Sequence, residues 1–373
     1  MIKLFNYTSG GYTVNTAQTV KHRFPWKTIG KIFGRIAFLL VETVLLLALA
    51  LYGVMYVLAK GPSPALRDIF VQSVRETSAI GFLANLYLTD EEIAAIEAKS
   101  EPEFLDTDTS LIQIPTNPVE DNLEENSGPV PDAWGLVDED GDGIIVEPIH
   151  DDGYNGYMMV VLDPSRVITG CVPEDFGREG YTVAEMVERF GAVAGVNAGG
   201  FWDENGNGDG SSPDSMVVFE GDIYFGHRGD AKGFAGFDSN HILHVGELSD
   251  EEVEARGIQY GACFGPVLIS NGEPNTSLRG GLNPRTAIGQ RSDGAVLLLV
   301  IDGRQLASLG ASFQDLVDIF LDYGAVNACN MDGGSSSLMW YQGGYINQSA
   351  SVIGIRDVPS TFLVLPKGGE DNG

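Results

Sequence analysis

Basic residues are scarce in this chain of 373 residues, which has 22 Lys and Arg against 52 Asp and Glu. A formal charge of −30 argues against a protein that binds the phosphate backbone of nucleic acids, because such binding needs a basic surface. Cysteine is also scarce: Cys171, Cys263 and Cys329 show no CxxC spacing and predict neither a disulfide framework nor a zinc site. No G-x-S-x-G sequence is present, so the sequence lacks the nucleophile turn of an α/β-type serine hydrolase.

One long apolar run stands out near the N-terminus. The segment from Ile36 to Leu58 contains a single charged residue, Glu42, and is long enough to cross the hydrocarbon core of a membrane. Six Lys or Arg residues precede it and one, Lys60, follows, so the positive-inside rule predicts a cytoplasmic N-terminus. The run is too long for the apolar part of a cleavable signal peptide. We therefore predict a single-pass signal anchor at 36–58 in the cell membrane, a basic cytoplasmic tail at 1–35 and an extracellular remainder.

The remainder divides by composition into three parts. Helical spacing of apolar residues after Pro64 and a helix start at Thr89 predict a helical stalk over 59–99. Proline, Asn and acidic residues dominate 100–133, which we interpret as an acidic linker. From Trp134 onward, short apolar runs alternate with Gly-rich turns, and most of these runs lack polar alternation, as strands covered on both faces do. The prediction for 134–373 is an α+β domain with a mixed, mostly buried sheet and a few flanking helices.

Capping residues predict the bounds of two of these helices. One would begin after Thr182 and end before Gly191, and the other would begin after Ser312 and end before Gly324.

Polar motifs follow the predicted strands, at the places where a sheet commonly presents its chemistry. They comprise Asn197-Ala-Gly-Gly-Phe201, Arg285-Thr-Ala-Ile-Gly289, Asp302-Gly-Arg304 and Asn330-Met-Asp-Gly-Gly-Ser-Ser336. In this order the motifs resemble those of the phosphodiester glycosidase family, and the resemblance covers about Gly156 to Leu365. The family often has Gly where this chain has Ala198 and Ser335. The resemblance implies a hydrolase that cleaves a sugar-1-phosphodiester, here in a cell-surface polysaccharide or glycoconjugate. The single-span anchor with its short basic tail and extracellular body suggests a bacterial envelope.

The chemistry of such a substrate assigns roles to the motif residues. A phosphate leaving group calls for guanidinium groups, which bind two of its oxygens at once, and the candidates are Arg285, Arg304 and Arg356. Carboxylates suit the sugar side, where positive charge develops, and Asp332 and Asp302 are the predicted catalytic pair. Asn197 and Asn330 would hold sugar hydroxyls or orient Asp332. The other predicted substrate-binding residues are Gly333, Gly334, Ser335 and Ser336, whose backbone amides would form an anion-binding nest. Two alternatives stay open: Arg285 could form a structural ion pair, and Asp302 could cap the turn before Arg304.

Two acidic loops match part of a calcium-binding template. In the first, Asp203, Asn205, Asn207 and Asp214 provide oxygen ligands at template positions, with Asp in place of the final Glu. In the second, Asp138, Asp140 and Asp142 match the first half of the template alone, and ordinary turns would explain either loop. The predicted hydrolysis requires no cofactor, and calcium is the metal that the first loop would hold. The competing functional hypothesis is a non-catalytic surface module that binds calcium or carbohydrate.

Overall fold

The computed structural model describes residues 3–5, 8–9, 12–13, 16–18, 26–77, 80–97, 106–115, 130–203, 208–226, 233–278, 280–351 and 354–368. The chain divides into two compact units, Met1–Val57 and Leu58–Gly373. Helix α1, Trp26–Lys60, begins in the first unit, and its segment Gly30–Lys60 is long and apolar enough to cross a membrane. The first unit also holds four short strands, of which β1 pairs with β4 and β2 with β3. They are β1 (Lys3–Phe5), β2 (Thr8–Ser9), β3 (Tyr12–Thr13) and β4 (Thr16–Gln18).

Three antiparallel sheets and six helices make up the second unit, as far as the structure describes it. The helices are α2 (Pro64–Arg75), α3 (Phe82–Asn85), α4 (Asp90–Glu97), α5 (Val183–Arg189), α6 (Asp250–Ala255) and α7 (Phe313–Asp322). The strands are β5 (Ile144–His150), β6 (Asn155–Val161), β7 (Val167–Cys171), β8 (Ala194–Asn197), β9 (Met216–Phe219), β10 (Asp222–Phe225), β11 (Phe234–Asp238), β12 (Leu243–Gly246), β13 (Ile258–Cys263), β14 (Val267–Ser270), β15 (Glu273–Pro274), β16 (Arg285–Arg291), β17 (Val296–Ile301), β18 (Ala325–Met331), β19 (Met339–Tyr341), β20 (Gly344–Tyr345) and β21 (Ser360–Val364).

The largest sheet has seven strands in the order β15-β14-β18-β16-β17-β6-β5. The two five-stranded sheets have the orders β20-β19-β8-β21-β7 and β10-β9-β13-β11-β12. The predicted α+β class is confirmed. The sequence predicted a mixed sheet, but all pairings among the described strands are antiparallel. Strands that follow each other closely, such as β16 and β17, pair as hairpins, which are antiparallel by construction.

All three sheets share one apolar core, and helices cover their outer faces. In β17, Leu298 and Val300 point into the shared core, whereas Leu297 and Leu299 belong to a second cluster with Phe320 of α7. Both faces of this strand are therefore buried, which explains why its sequence shows no polar alternation. Helix α5 covers the sheet of β8 and β21 in the same way, and α6 packs on the sheet of β9 and β13.

Two helices begin and end where their capping residues predict. Thr182 and Ser312 each form a capping box, with Glu185 and Asp315 respectively, at the starts of α5 and α7. Gly324 follows α7 with a φ of +77°, a conformation that glycine adopts without strain. The C-terminal end of α7 is thereby set, and β18 begins at the next residue.

The predicted stalk and linker are associated with the rest of the second unit. Helices α2, α3 and α4 lie within the predicted stalk, and α2 contacts the loop around Gly281. Residues 106–115 of the predicted linker also contact the domain, since the amide of Asp108 donates to Asn271 Oδ1 at 2.7 Å. The other linker residues, 100–105 and 116–129, lie outside the described residues, as does much of the predicted basic tail.

Candidate active site

A cavity of about 670 Å³ lies at the ends of β8, β16, β17 and β18. Three of the predicted polar motifs contribute Arg285, Arg304 and Asp332 to its wall, and Arg356 joins them from the loop before β21. Its charged lining residues are Glu76, Asp203, Asp214, Arg285, Arg304, Asp332 and Arg356, and its aromatic ones are Phe201, Trp202, Phe264 and Phe313. A cavity with both guanidinium and carboxyl groups can bind an anion and transfer protons in the same place.

Asp332 is the most strongly perturbed carboxyl group of the cavity. Its backbone is fixed by a bond from its amide to the Ala198 carbonyl at 2.9 Å, and its buried Oδ2 atom has no hydrogen-bond partner. Burial raises the pKa of this carboxyl to about 7, and the Asp203 carboxylate adds to the rise. A hydrogen bond from Ser336 and the charge of Arg356 oppose it. Asp332 therefore changes protonation near neutral pH, as a proton-transfer group should.

Arg356 crosses the cavity wall between two loops. Its Nη2 donates to the Gly208 carbonyl at 2.8 Å, and its Nη1 lies 3.4 Å from both Asp203 Oδ2 and Ser335 Oγ. The guanidinium also lies over the ring of Phe201, 4.9 Å from its centroid. These contacts orient the guanidinium toward the cavity and leave its charge partly balanced by Asp203.

Arg304 has polar partners but no carboxylate within 4.0 Å among the described residues. Its Nη2 donates to Thr77 Oγ1 at 2.8 Å and to Asn283 Oδ1 at 3.2 Å. The residue has a φ of +57°, which is uncommon for a side chain of this size. Gly334, at φ +64°, passes close beneath the guanidinium, and a Cβ there would lie 3.3 Å from Arg304 Nη2. The loop geometry therefore places a guanidinium without a carboxylate partner in the cavity.

Arg285 lines the cavity but is already engaged by several groups of the protein. Its Nη2 lies 2.7 Å from Glu76 Oε2 and also donates to the Gly281 carbonyl at 2.7 Å, while Nε donates to Ala311 O at 3.1 Å. Its guanidinium stacks on Phe313 at 4.0 Å from the ring centroid. The structural ion pair left open by the sequence is present, with a partner from the stalk.

Asp302 does not line the cavity, so the structure does not bring it together with Asp332 as the sequence predicts. Its buried Oδ1 accepts hydrogen bonds from Asn347 Nδ2 and from the Gln348 amide, each at 3.0 Å. Burial raises the pKa of Asp302, and these two bonds lower it. The carboxylate thus links the loop after β17 to the segment near Asn347. The local sequence Asp302-Gly303 does not indicate this structural role.

The two predicted sugar-binding amides also point away from the cavity. Asn197 is fully buried and donates to the carbonyl of Asp332 at 2.7 Å. Asn330 is fully buried and donates to the carbonyl of Gly265 at 2.7 Å. Neither lines the cavity, because each satisfies backbone groups beneath it. The bond from Asn197 to the Asp332 carbonyl agrees with a residue that orients Asp332. Direct sugar contact by Asn197 or Asn330 stays a prediction.

The Gly333-Gly334-Ser335-Ser336 segment does line the cavity. It forms a short 3-10 turn over Gly334–Ser336, in which the Ser336 amide bonds to Gly333 O at 3.2 Å. The Gly334 amide donates to the Pro284 carbonyl at 3.0 Å. The Gly333 backbone and the Ser336 side chain also bond to the Asp332 carboxyl. Three of the four amides of the predicted anion-binding nest are therefore already engaged within the protein.

The first calcium loop is described in part. Asp203 and Asp214 line the cavity, whereas Asn205 and Asn207 lie outside the described residues. The calcium hypothesis for this loop thus stays a prediction. In the second loop, ligand oxygens of Asp138, Asp140 and Asp142 lie within 4.8 Å of one another, and each carboxylate accepts hydrogen bonds from nearby backbone amides.

Several cavity residues were missed by sequence reasoning. Glu76 and Thr77 come from the end of α2, in the predicted stalk, and no local motif marks them. The sequence marks Asp203 and Asp214 only as candidate calcium ligands and gives no sign that they line this cavity. Trp202 follows the Asn197–Phe201 motif directly and is 47% exposed at the cavity, a position that its neighbouring motif could have indicated.

Comparisons with known proteins agree with the motif resemblance. Residues 190–365 match the model of the phosphodiester glycosidase family. The chain is 32% identical over 225 residues to the uncharacterized protein YomE of the SPbeta prophage of Bacillus subtilis, covering 57% of this chain and 33% of that protein. It thus spans about a third of the length of this curated relative.

Solved structures show lower similarity. The catalytic domain of zebrafish N-acetylglucosamine-1-phosphodiester alpha-N-acetylglucosaminidase, auto-inhibited by its pro-peptide, is 18% identical with a TM-score of 0.49, over 60% of this chain and 82% of that one. A hypothetical protein from Synechocystis is 15% identical with a TM-score of 0.43, over 60% and 62% of the respective chains. The span that matches the phosphodiester glycosidase family model includes the strand ends that carry Asp332, Arg285, Arg304 and Arg356.

Proposed function

We propose that this protein is a membrane-anchored extracellular hydrolase that cleaves a sugar-1-phosphodiester in a cell-surface polysaccharide or glycoconjugate. The observation that carries the proposal is the position of Asp332, a partly buried residue whose carboxyl has a pKa of about 7, in one cavity with three guanidinium groups. Arg304 and Arg356 would hold the phosphate, since a guanidinium matches phosphate oxygens in charge and geometry. Arg285 lines the same wall with its charge balanced by Glu76.

Hydrolysis at the anomeric carbon assigns one task to Asp332. The bond between that carbon and the bridging oxygen breaks, water supplies the new hydroxyl group, and a phosphomonoester leaves. The leaving group has a pKa near 6 and needs little protonation, so the proton that must be moved is that of the attacking water. Asp332 would accept it on its carboxylate, since this residue lines the cavity. Asp203 and Asp214 would add negative charge beside the developing oxocarbenium ion.

The anchor belongs to the same proposal. Helix α1 includes a segment, Gly30–Lys60, that could cross a membrane, and the basic residues of the sequence before it favour a cytoplasmic N-terminus. The domain would then act on substrates outside the cell.

The test is hydrolysis of a panel of methyl sugar-1-phosphodiesters by the purified full-length protein in detergent, with Asp332→Asn as the inactive control. In water labelled with ¹⁸O, cleavage of the carbon–oxygen bond leaves the phosphomonoester free of label. Label in the phosphate would instead identify attack at phosphorus and contradict the glycosidase assignment. Binding of sugars without turnover of any diester would favour the non-catalytic carbohydrate-binding module.

A further inference from the structure

Glu76 enters the cavity from outside the part of the chain that matches the family. It follows α2, whereas the family match begins at residue 190. Its Oε1 accepts from the Gly281 amide at 3.1 Å, and its Oε2 accepts from Asn283 Nδ2 at 2.8 Å and from Arg285 Nη2 at 2.7 Å. Three donors of one loop thus converge on this single carboxylate.

The packing of α2 holds Glu76 in this position. Ser73 Oγ accepts from the Leu282 amide at 3.0 Å, and the helix approaches Gly281 so closely that a Cβ there would clash with the Ser73 backbone. Phe70, Val71 and Val74 of the same helix are buried. The side chain of Arg285 is 5% exposed and that of Glu76 is 26% exposed. Water therefore screens this ion pair less than it screens a pair on the surface.

The pairing decides which positive charge is available to a ligand. The cavity is lined by three guanidinium groups and four carboxyl groups. Arg285 is paired with Glu76, and Arg356 is 3.4 Å from Asp203. Arg304 is the cavity guanidinium for which the described residues provide no carboxylate partner within 4.0 Å. The pairing of Arg285 with Glu76 therefore lowers the positive charge that the cavity offers to a ligand, which favours the ligand with fewer negative charges.

We propose that Glu76 is a specificity-determining residue, which by neutralising Arg285 suits the cavity to a singly charged phosphodiester over a doubly charged phosphomonoester. The inference rests on the proposed function, in which the diester is the substrate. A phosphodiester carries one negative charge at neutral pH, whereas a phosphomonoester carries between 1.5 and 2. Because hydrolysis converts the first into the second, the same charge balance would weaken binding of the phosphate product and promote its release.

The experiment compares two small probes that differ by one charge. Binding of dimethyl phosphate and of methyl phosphate is measured by isothermal titration calorimetry at pH 8, where methyl phosphate is doubly charged. The proteins are the full-length wild type, Glu76→Gln and the matched control Glu97→Gln. Glu97 belongs to the same stalk and pairs with Arg75 at 3.0 Å in an exposed ion pair, and it does not line the cavity.

In Glu76→Gln, we expect affinity for methyl phosphate to rise about tenfold more than affinity for dimethyl phosphate, as one unit charge in a partly hydrated site would produce. Glu97→Gln should leave the ratio unchanged. Adding Arg285→Gln to Glu76→Gln removes the excess positive charge and should return the ratio to that of the wild type. Circular dichroism verifies that each variant is folded.

Two results would overturn the inference. An unchanged ratio in folded Glu76→Gln would show that the charge of Glu76 does not reach the ligand. An equal gain for both probes would show that Glu76 obstructs the cavity sterically. This experiment measures binding, whereas the proposed function is tested by diester hydrolysis. A wild-type protein that hydrolyses no diester would therefore contradict the proposed function without deciding the role of Glu76.

Discussion

The side-chain amide of Asn197 donates a 2.7 Å hydrogen bond to the backbone carbonyl of Asp332, which lies 135 residues further along the chain. The Oδ1 atom of the same side chain accepts from Thr286 Oγ1 at 2.8 Å and from the Leu338 amide at 3.2 Å. Asn197 therefore ties together segments that flank the cavity while contributing none of its surface. It acts on the site through the position of Asp332.

Asn197→Ala should lower both stability and turnover. The substitution removes three buried hydrogen bonds and leaves their partners unsatisfied, so we expect a loss of about 3 kcal/mol in the free energy of unfolding. The urea midpoint measures this loss. In the fraction that remains folded, kcat should fall with KM little changed, because the reacting group is misplaced while the guanidinium groups remain. Wild-type kcat in a folded variant would contradict this positioning role.

Asp332→Asn should abolish turnover and preserve the fold. Loss of a proton-transfer group costs roughly 10²–10⁴-fold in rate. Asp302→Asn is the matched control: its carboxylate lies outside the cavity, so kcat should stay within a few-fold of wild type while the unfolding free energy falls by about 1–2 kcal/mol. Equal losses of kcat in the two variants, both folded, would remove the distinction between these carboxylates.

The pH profile should show one basic group with a pKa of about 7, the value to which burial raises Asp332. As the base, Asp332 must be ionised, so kcat/KM should rise with pH below about 7 and level off above it. The raised pKa also means that protonation favours the folded state. The contribution of Asp332 to stability is full below its unfolded value of 3.8 and is lost as pH rises through about 7. The difference in urea midpoint between wild type and Asp332→Asn should change in this window and be constant above it.

Arg304→Ala should lower kcat/KM for a phosphodiester by roughly 10–150-fold, because a charged hydrogen bond contributes about 1.5–3 kcal/mol. For a neutral aryl glycoside of the same sugar, if the protein hydrolyses it, the same substitution should lower kcat/KM much less. Arg285→Ala is the comparison: it breaks the contacts with Glu76, Gly281 and Ala311, so we expect a larger loss of stability than Arg304→Ala causes. Equal losses on charged and neutral substrates in Arg304→Ala would exclude a phosphate-binding role.

The membrane topology can be tested on intact cells. Protease added from outside should digest the part of the chain after Lys60, because the basic residues before the apolar segment favour a cytoplasmic N-terminus. A cytoplasmic protein of the same cells should stay intact, as a control for lysis. Protection of the domain in intact cells, with digestion after permeabilisation, would reverse the topology. A shortened form in the medium would indicate cleavage of the anchor.

The sequence alone determined the features that depend on neighbouring residues. The capping boxes at Thr182 and Ser312 predicted the starts of α5 and α7, since a cap acts within one helical turn. The unbroken apolar run of β17 predicted burial of both its faces. The order of the motifs predicted a resemblance to the phosphodiester glycosidase family, and the match of residues 190–365 to the family model confirms that resemblance. These motifs also contain Asp332, Arg285 and Arg304, which the cavity brings together.

Only the tertiary structure decided which of the motif residues face the cavity. Asp302 and Asp332 each follow a strand and precede a glycine, yet one carboxylate bonds to Asn347 and the other lies in the cavity wall. The charge available from Arg285 was likewise undecided, because its partner Glu76 lies 209 residues away in sequence. A side chain's role depends on what packs against it, and those neighbours come from chain segments whose contacts no local pattern records.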